Sequence, residues 1–248
     1  RDWSSEVCSS DLVLSSTYRQ SSVVTSALRE RDPNNRLLAR MSRYRLPSWM
    51  IRDQALYVSG LLVEKQGGPS VKPYQPDGVW AESTFGKKRY SRDKGEALYR
   101  RSLYTFWRRI VGPTMFFDEA KRQICEVRRA RTNTPLHALI TLNDIAYVEA
   151  ARAMAQRVLN EGGIIDTNRI VYAFRLATGR TPSNDEATIL KNRLNQLRRD
   201  YRDNNEAAQA LLKVGEHVRN NKLTVTEHAA YTVLCNLILN LDEVITRE

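Results

Sequence analysis

Apolar residues recur at helical spacing along most of the chain, and proline, glycine and capping residues punctuate the runs. Leu28, Leu37 and Leu38 fall in short helical pieces on either side of Asp32-Pro33, where proline disfavours a helical residue before it. Pro47 suits the first turn of a helix predicted to reach about Lys65, because no backbone N–H is needed there. Gly67 to Gly78, GGPSVKPYQPDG, holds three prolines and three glycines in twelve residues and predicts a long ordered loop or a linker. Leu98 to Ile110 returns to helical spacing, with Tyr99, Leu103, Phe106 and Ile110 on one side and Pro113 as its stop. An irregular stretch then runs to Asn133.

The second half carries clearer start and stop signals. Thr134-Pro135 offers a hydroxyl cap followed by proline at the first helical position. Apolar positions continue to Asn143, Asp144 can cap a further segment, and Tyr147, Ala150, Ala151, Met154 and Val158 keep its period. Asp166 opens another helix, with Ile170, Ala173, Phe174 and Ala177 facing inward and Gly179 closing it. Ser183 and Glu186 form a capping box ahead of the seam Leu190, Leu194, Leu197 and Tyr201. Thr226 is the predicted cap of a last helix with the stripe Ala230, Val233, Leu234, Leu237, Leu241 and Ile245. The expected fold class is mostly α: an irregular helical domain with long ordered loops over residues 66–96 and 111–133 and a C-terminal helical bundle.

The first twelve residues, RDWSSEVCSSDL, stand apart. They resemble one translated frame of a common short-read sequencing adapter, with only Glu6 departing from it. Arg1 to Leu12 are therefore expected to be adapter-derived and are set aside from the fold, which leaves residues 13–248 as a single domain that begins where a read ended. The hydrophobic content of 42% supports a real core. Net charge is +11, and Lys87 to Arg131 concentrates it, with fourteen basic against five acidic residues. Such a stripe meets an anionic ligand, a nucleic acid or an acidic partner, or is simply a solvated face. Beyond the first twelve residues only Cys125 and Cys235 remain, so the redox state is open. No apolar run approaches the ~18 residues of a spanning helix.

Several stretches together resemble one family: STYRQSS (Ser16 to Ser22), GGPSVKPYQPDGVW (Gly67 to Trp80), LYRRSLYTFWRR (Leu98 to Arg109) and RARTNTPLHALITLND (Arg129 to Asp144). YVEAARAMAQR and the C-terminal NLILNLDEVITRE fit as well. They are similar to the planctomycete-specific domain of unknown function that closes large planctomycete cytochrome-c-domain proteins. Ile145, Lys121 and His137 depart from that family's usual residues. The resemblance implies a periplasmic or exported protein, with the upstream domains of the same full-length chain as partners and haem only in that upstream region. It brings no catalytic residue.

Candidate chemistry is sparse. Cys-x-x-Cys-His and Gly-x-Ser-x-Gly are absent, and His137, His217 and His228 are scattered without metal-ligand spacing, so no cofactor and no metal site is expected in this stretch. Asp118, Asp144 and Glu149 are available carboxylates for glycoside chemistry, or simply caps and ion-pair partners. On a helix of ~100° per residue, Arg101, Thr105 and Arg108 lie opposite the aromatic residues of YRRSLYTFWRR, which disfavours a base-stacking surface and with it nucleic acid. The best candidate is anion binding by Arg128, Arg129, Arg131, Thr132 and Asn133 ahead of the helix at Pro135, with Arg100 or Arg101 converging on them and Lys72 and Tyr74 as a wall. The competing expectation is that these arginines are locked to Asp118, Glu119, Glu126 or Asp144. The functional expectation, which the resemblance implies, is a C-terminal binding or assembly module of an exported cytochrome-c-associated protein, with an anionic ligand or glycan as a candidate partner. The rivals are an enzyme acting on sulfated or carboxylated polysaccharide and non-specific polyanion or nucleic-acid binding.

Overall fold

The computed structural model describes residues 9–108, 111–120, 124–127 and 131–247. The fold is mostly α, and the described residues divide into two compact units, one drawn from 9–45 with 246–247 and one from 46–245.

The smaller unit holds two short helices, α1 (Ser9–Leu14) and α2 (Ser26–Arg31), and a two-stranded antiparallel ribbon, β1 (Tyr44–Arg45) with β2 (Thr246–Arg247), in the register Tyr44 to Arg247. The Asp32-Pro33 break is closed by the Asp32 carboxylate, which accepts from Arg36 N at 2.8 Å and Leu37 N at 2.7 Å. Leu37 and Leu38 are not helical. They lie exposed on that turn, where Leu38 takes a positive φ of 53°.

The larger unit begins with α3 (Ser48–Ser59). Pro47, expected in its first turn, stands one residue ahead as its N-cap, and the helix stops six residues before Lys65. Gly60 adopts φ 78°, and the N–H groups of Leu61 and Leu62 both turn back to Leu56 O, which satisfies the last turn and diverts the chain. A short α4 (Val79–Ser83) follows the Gly67 to Gly78 loop.

The predicted helix over 98–110 does not form among the described residues. The chain there is extended, with single 3₁₀ turns at Gly95–Tyr99 and Ser102–Tyr104. Its backbone pairs sideways instead: Val63 bridges to Arg100 and Val71 to Thr105, both parallel. The buried Arg52 guanidinium of α3 takes the carbonyls of Leu98 at 2.8 Å and Arg100 at 3.0 Å. Those carbonyls are spent on tertiary partners, and a helix would need them within itself.

The C-terminal bundle comprises α5 (Pro135–Asn143), α6 (Ile145–Glu161), α7 (Asp166–Thr178), α8 (Asn184–Asp203), α9 (Asn205–Leu212), α10 (Val225–Leu239) and a final turn, α11 (Asp242–Ile245). Its starts follow the capping chemistry. Asp144 accepts from Ala146 N at 2.9 Å, and Ser183 and Glu186 form the reciprocal box. Gly179 closes α7 at φ 79°. α10 begins two residues earlier than predicted, with Thr224 rather than Thr226 as its cap. α6 and α10 make the central pair. Ala150, Ala151, Met154 and Ala155 of α6 are sealed from solvent, and so are Ala230, Tyr231, Leu234 and Ile238 of α10. The alanines let the two backbones approach closely, so the larger residues interdigitate around them.

Candidate functional site

In an extended segment successive side chains point to opposite sides, and this places the chemistry of residues 100–108. Leu103, Thr105 and Trp107 line one concavity, while Phe106 and Arg108 line another. The helical separation of arginines from aromatic rings therefore gives way to interleaving. The Arg108 guanidinium lies 5.6 Å from the Trp80 ring centroid, and that of Arg100 lies 3.9 Å from Tyr104.

The second concavity has a volume of about 450 Å³. Its floor is aromatic. Trp80 sits 5.4 Å from Tyr90 and 6.0 Å from Phe106, centroid to centroid. Its walls are cationic: Lys72, Lys88, Arg89 and Arg108, with no carboxylate among the lining residues. Among the described residues none of these four side chains has an ion-pair or hydrogen-bond partner. The backbone around them is fixed. Lys72 N donates to Asp93 Oδ2 at 2.8 Å, Asp93 N returns to Lys72 O at 3.0 Å, and the Tyr90 hydroxyl donates to Pro73 O at 2.7 Å. Thr84 Oγ1 accepts from Lys88 N at 3.0 Å, closing the turn that presents Lys88 and Arg89. Burial, with Asp93 nearby, raises the Tyr90 phenol above its ordinary range, so it stays a neutral donor.

On the other side of the segment a groove runs along α3. One part, about 410 Å³, is lined by Trp49, Asp53, Arg101, Thr105, Trp107 and Glu119 among others. The adjoining part, about 510 Å³, shares Trp49, Asp53 and Arg101 and adds Tyr57, Glu64 and the amides Gln54 and Gln66.

The residues proposed from sequence are scattered by this geometry. Lys72 lies in the cationic pocket and Arg101 in the groove. Arg100 turns inward: it is buried and its guanidinium donates to the carbonyls of Lys65, Gly67 and Pro69, so it anchors the loop and cannot receive a ligand. Tyr74 is also buried, its hydroxyl accepting from Glu216 N at 3.0 Å beneath the Arg92 guanidinium. Thr132 is held to Asp118 through its N–H at 2.7 Å and its hydroxyl at 2.9 Å. Arg131, Thr132 and Asn133 line neither concavity. Arg128 and Arg129 lie outside the described residues.

The three candidate carboxylates have structural work. Asp118 holds Thr132 and stands 3.6 Å from His137 Nε2, and Asp144 caps α6. Glu149 is buried and accepts from the Tyr99 hydroxyl at 2.9 Å and His217 N at 2.6 Å, with the Arg152 guanidinium 3.8 Å away. Among the described residues no three His, Cys, Asp or Glu side chains gather as a metal site would need, and no helix is long and apolar enough to cross a membrane.

Sequence reasoning missed Trp80, Lys88, Arg89, Tyr90, Phe106 and Arg108, and on the groove side Trp49, Asp53 and Trp107. The available signal was the alternation in LYTFWR, which reads as strand spacing as readily as helix spacing.

Residues 1–194 match the PSD1 family, described as a protein of unknown function (DUF1553). The match takes in the twelve residues that resemble adapter sequence. No curated protein and no solved structure matches the chain.

Proposed function

The chain belongs to the PSD1 family (DUF1553), and we propose that it is a binding module for an anionic ligand, a sulfated or carboxylated glycan. The observation that carries this reading is the pocket of Lys72, Lys88, Arg89 and Arg108 over the Trp80, Tyr90 and Phe106 floor, with no acid in its lining. Cations that lack acidic partners raise the local potential, and a ligand anion would meet them without displacing an internal ion pair. The aromatic floor supplies apolar area for the carbon face of a sugar ring, so affinity does not rest on charge alone. The sequence resemblance supports the wider setting: the C-terminal module of a planctomycete protein, exported or periplasmic, whose upstream domains include a cytochrome c domain and hold the haem.

The test is binding of a heparin-derived hexasaccharide and an oligogalacturonate beside a duplex DNA of similar charge. The double variant Lys88→Glu/Arg89→Glu changes two exposed side chains, so its melting temperature should match that of the parent. It should weaken the glycan at least about tenfold. Equal binding of parent and variant, or DNA binding as tightly as the glycans, would reduce the interaction to bulk charge. Shortening of the glycan on incubation would make the chain an enzyme instead.

A further inference from the structure

We infer that the groove along α3 is a second binding site, and that its ligand is a neutral, hydroxyl-rich sugar chain. Trp49, Asp53 and Tyr57 are spaced four residues apart and therefore share one face of α3. Eight helical residues span about 12 Å, enough to seat more than one ring of an extended oligosaccharide. Tyr57 is 65% exposed, and Trp49 lines both parts of the groove, so two aromatic side chains are offered along its length. Trp107 lies at the far part, stacked on Phe116 at 5.7 Å. Flat apolar rings of this kind match the C–H faces of pyranoses.

The polar groups suit hydroxyls rather than a charged ligand. Arg101 is exposed, and its guanidinium has no partner among the described residues. It supplies donors only. Asp53 Oδ1 is engaged with Ser102 N at 2.8 Å and Ser102 Oγ at 2.6 Å, which fixes the carboxylate, while Oδ2 is without a partner among the described residues and can accept. Gln54 and Gln66 can do both. Thr105 lines the far part of the groove as a further hydroxyl-bearing side chain. A hydroxyl donates and accepts at once, so it uses every one of these groups. Charge decides between sugar classes. Asp53, Glu64 and Glu119 line this groove with Arg101, and Asp53 is balanced by the Arg52 guanidinium at 3.5 Å. Among the described residues the groove therefore offers no cluster of cations to a uronate or sulfate, whereas the pocket across the segment does. The two sites thus differ in electrostatics, since cations cluster in one and not in the other.

The experiment is calorimetric titration with neutral hexasaccharides of β-1,4-glucan, β-1,3-glucan, β-1,4-mannan and β-1,4-xylan, beside oligogalacturonate. It is run in about 0.5 M salt to screen the cationic pocket. At least one neutral chain should bind, and more tightly than the uronate. Arg101→Ala and Trp49→Ala should each weaken it at least about tenfold, while Lys88→Glu/Arg89→Glu leaves it unchanged. If Trp49→Ala lowers the melting temperature, the exposed Tyr57→Ala takes its place. Binding of none of the neutral chains at a few millimolar, or binding that the groove variants leave intact, overturns the inference without touching the cationic pocket. A loss caused only by the Lys88/Arg89 variant also overturns it, because the sugar would then sit in the other site.

Discussion

Glu149 shows how much a single buried residue organises. Its carboxylate is sealed inside the larger unit, and hydrogen bonds from Tyr99 and His217 N compensate for lost water. Burial first, and the charge of Glu149 second, push the phenols of Tyr74 and Tyr99 well above their ordinary range, so both remain neutral donors at any working pH. The space for this carboxylate comes from Gly215. At φ 83° a side chain there is already strained, and a Cβ would fall 2.3 Å from Glu149 Cδ. Gly215→Ala should therefore cost on the order of 3 kcal/mol, read as a shift in urea midpoint with the slope unchanged. A shift near zero would mean that the carboxylate moves away freely. His228 makes a different prediction. Its ring is fully buried, with Nε2 3.0 Å from Arg152 O and Nδ1 facing Arg219 Nε at 3.4 Å, so the neutral ring donates through Nε2. Burial depresses its pKa from 6.5 to about 4, and Arg219, Arg152 and His217 add to the effect. The unfolded chain takes up a proton as pH falls below 6.5, while the native ring resists it until about 4. Stability is thus complete above pH 6.5 and declines between 6.5 and 4, by at most roughly 3 kcal/mol from this residue. His217, also depressed by burial, acts in the same direction. Urea titrations across that window should show the decline in the parent, and a shallower one in His228→Gln after allowing for its lower baseline.

Among the elements, what was legible in the sequence was what is local. Thr134-Pro135, Asp144, Asp166 with Gly179, and Ser183 with Glu186 set helix boundaries through groups within a turn of the chain, and α5 to α8 begin where those groups stand. The inward stripe of α7 was legible for the same reason, since its period is uninterrupted. The extended course of residues 98–108 was not. Leu103, placed on the inner face by helical spacing, is 80% exposed, because Arg52 lies forty-six residues before Leu98 in sequence and nothing local reveals that it will take the carbonyls there. The candidate site suffered from that error: a segment read with the wrong period sends Arg101 and Arg108 to the wrong neighbours, and among the described residues only Lys72 and Arg101 of those expected line a concavity. Arg100 was wrongly grouped with the ligand-facing arginines because sequence does not show which of two adjacent guanidiniums turns in. Its three carbonyl acceptors tie residues 65–69 to the extended segment. Arg100→Ala should remove three charge-assisted hydrogen bonds and the packing of a buried side chain, and cost roughly 2 kcal/mol. It should also open the loop to limited proteolysis between residues 65 and 78. Arg101→Ala, one residue on, should do neither, and that pairwise contrast is the check.

At the scale of the whole molecule, a net charge of +11 attracts any polyanion, so affinity for one says little by itself. The salt dependence of binding separates general attraction from a seated ligand. Each cation that meets a ligand charge releases roughly one counterion, and the slope of log K against log salt counts such contacts. If a sulfated hexasaccharide sits among Lys72, Lys88, Arg89 and Arg108, removing any one of them should flatten the slope by about one. Removing an exposed cation elsewhere, such as Lys191 on α8 or Lys213 after α9, should lower affinity slightly at low salt and leave the slope alone. A diffuse cloud predicts the opposite: every cation would contribute alike, and the aromatic floor would not matter. Phe106→Ala therefore completes the comparison, because it removes a ring from the floor without changing charge. In a seated complex it weakens binding by about tenfold at every salt concentration, a vertical displacement of the line with the same slope. Lys72 lies 5.5 Å from that ring, so the variant's melting temperature and its slope must both be measured. An unchanged intercept would show that the ligand never reaches the floor.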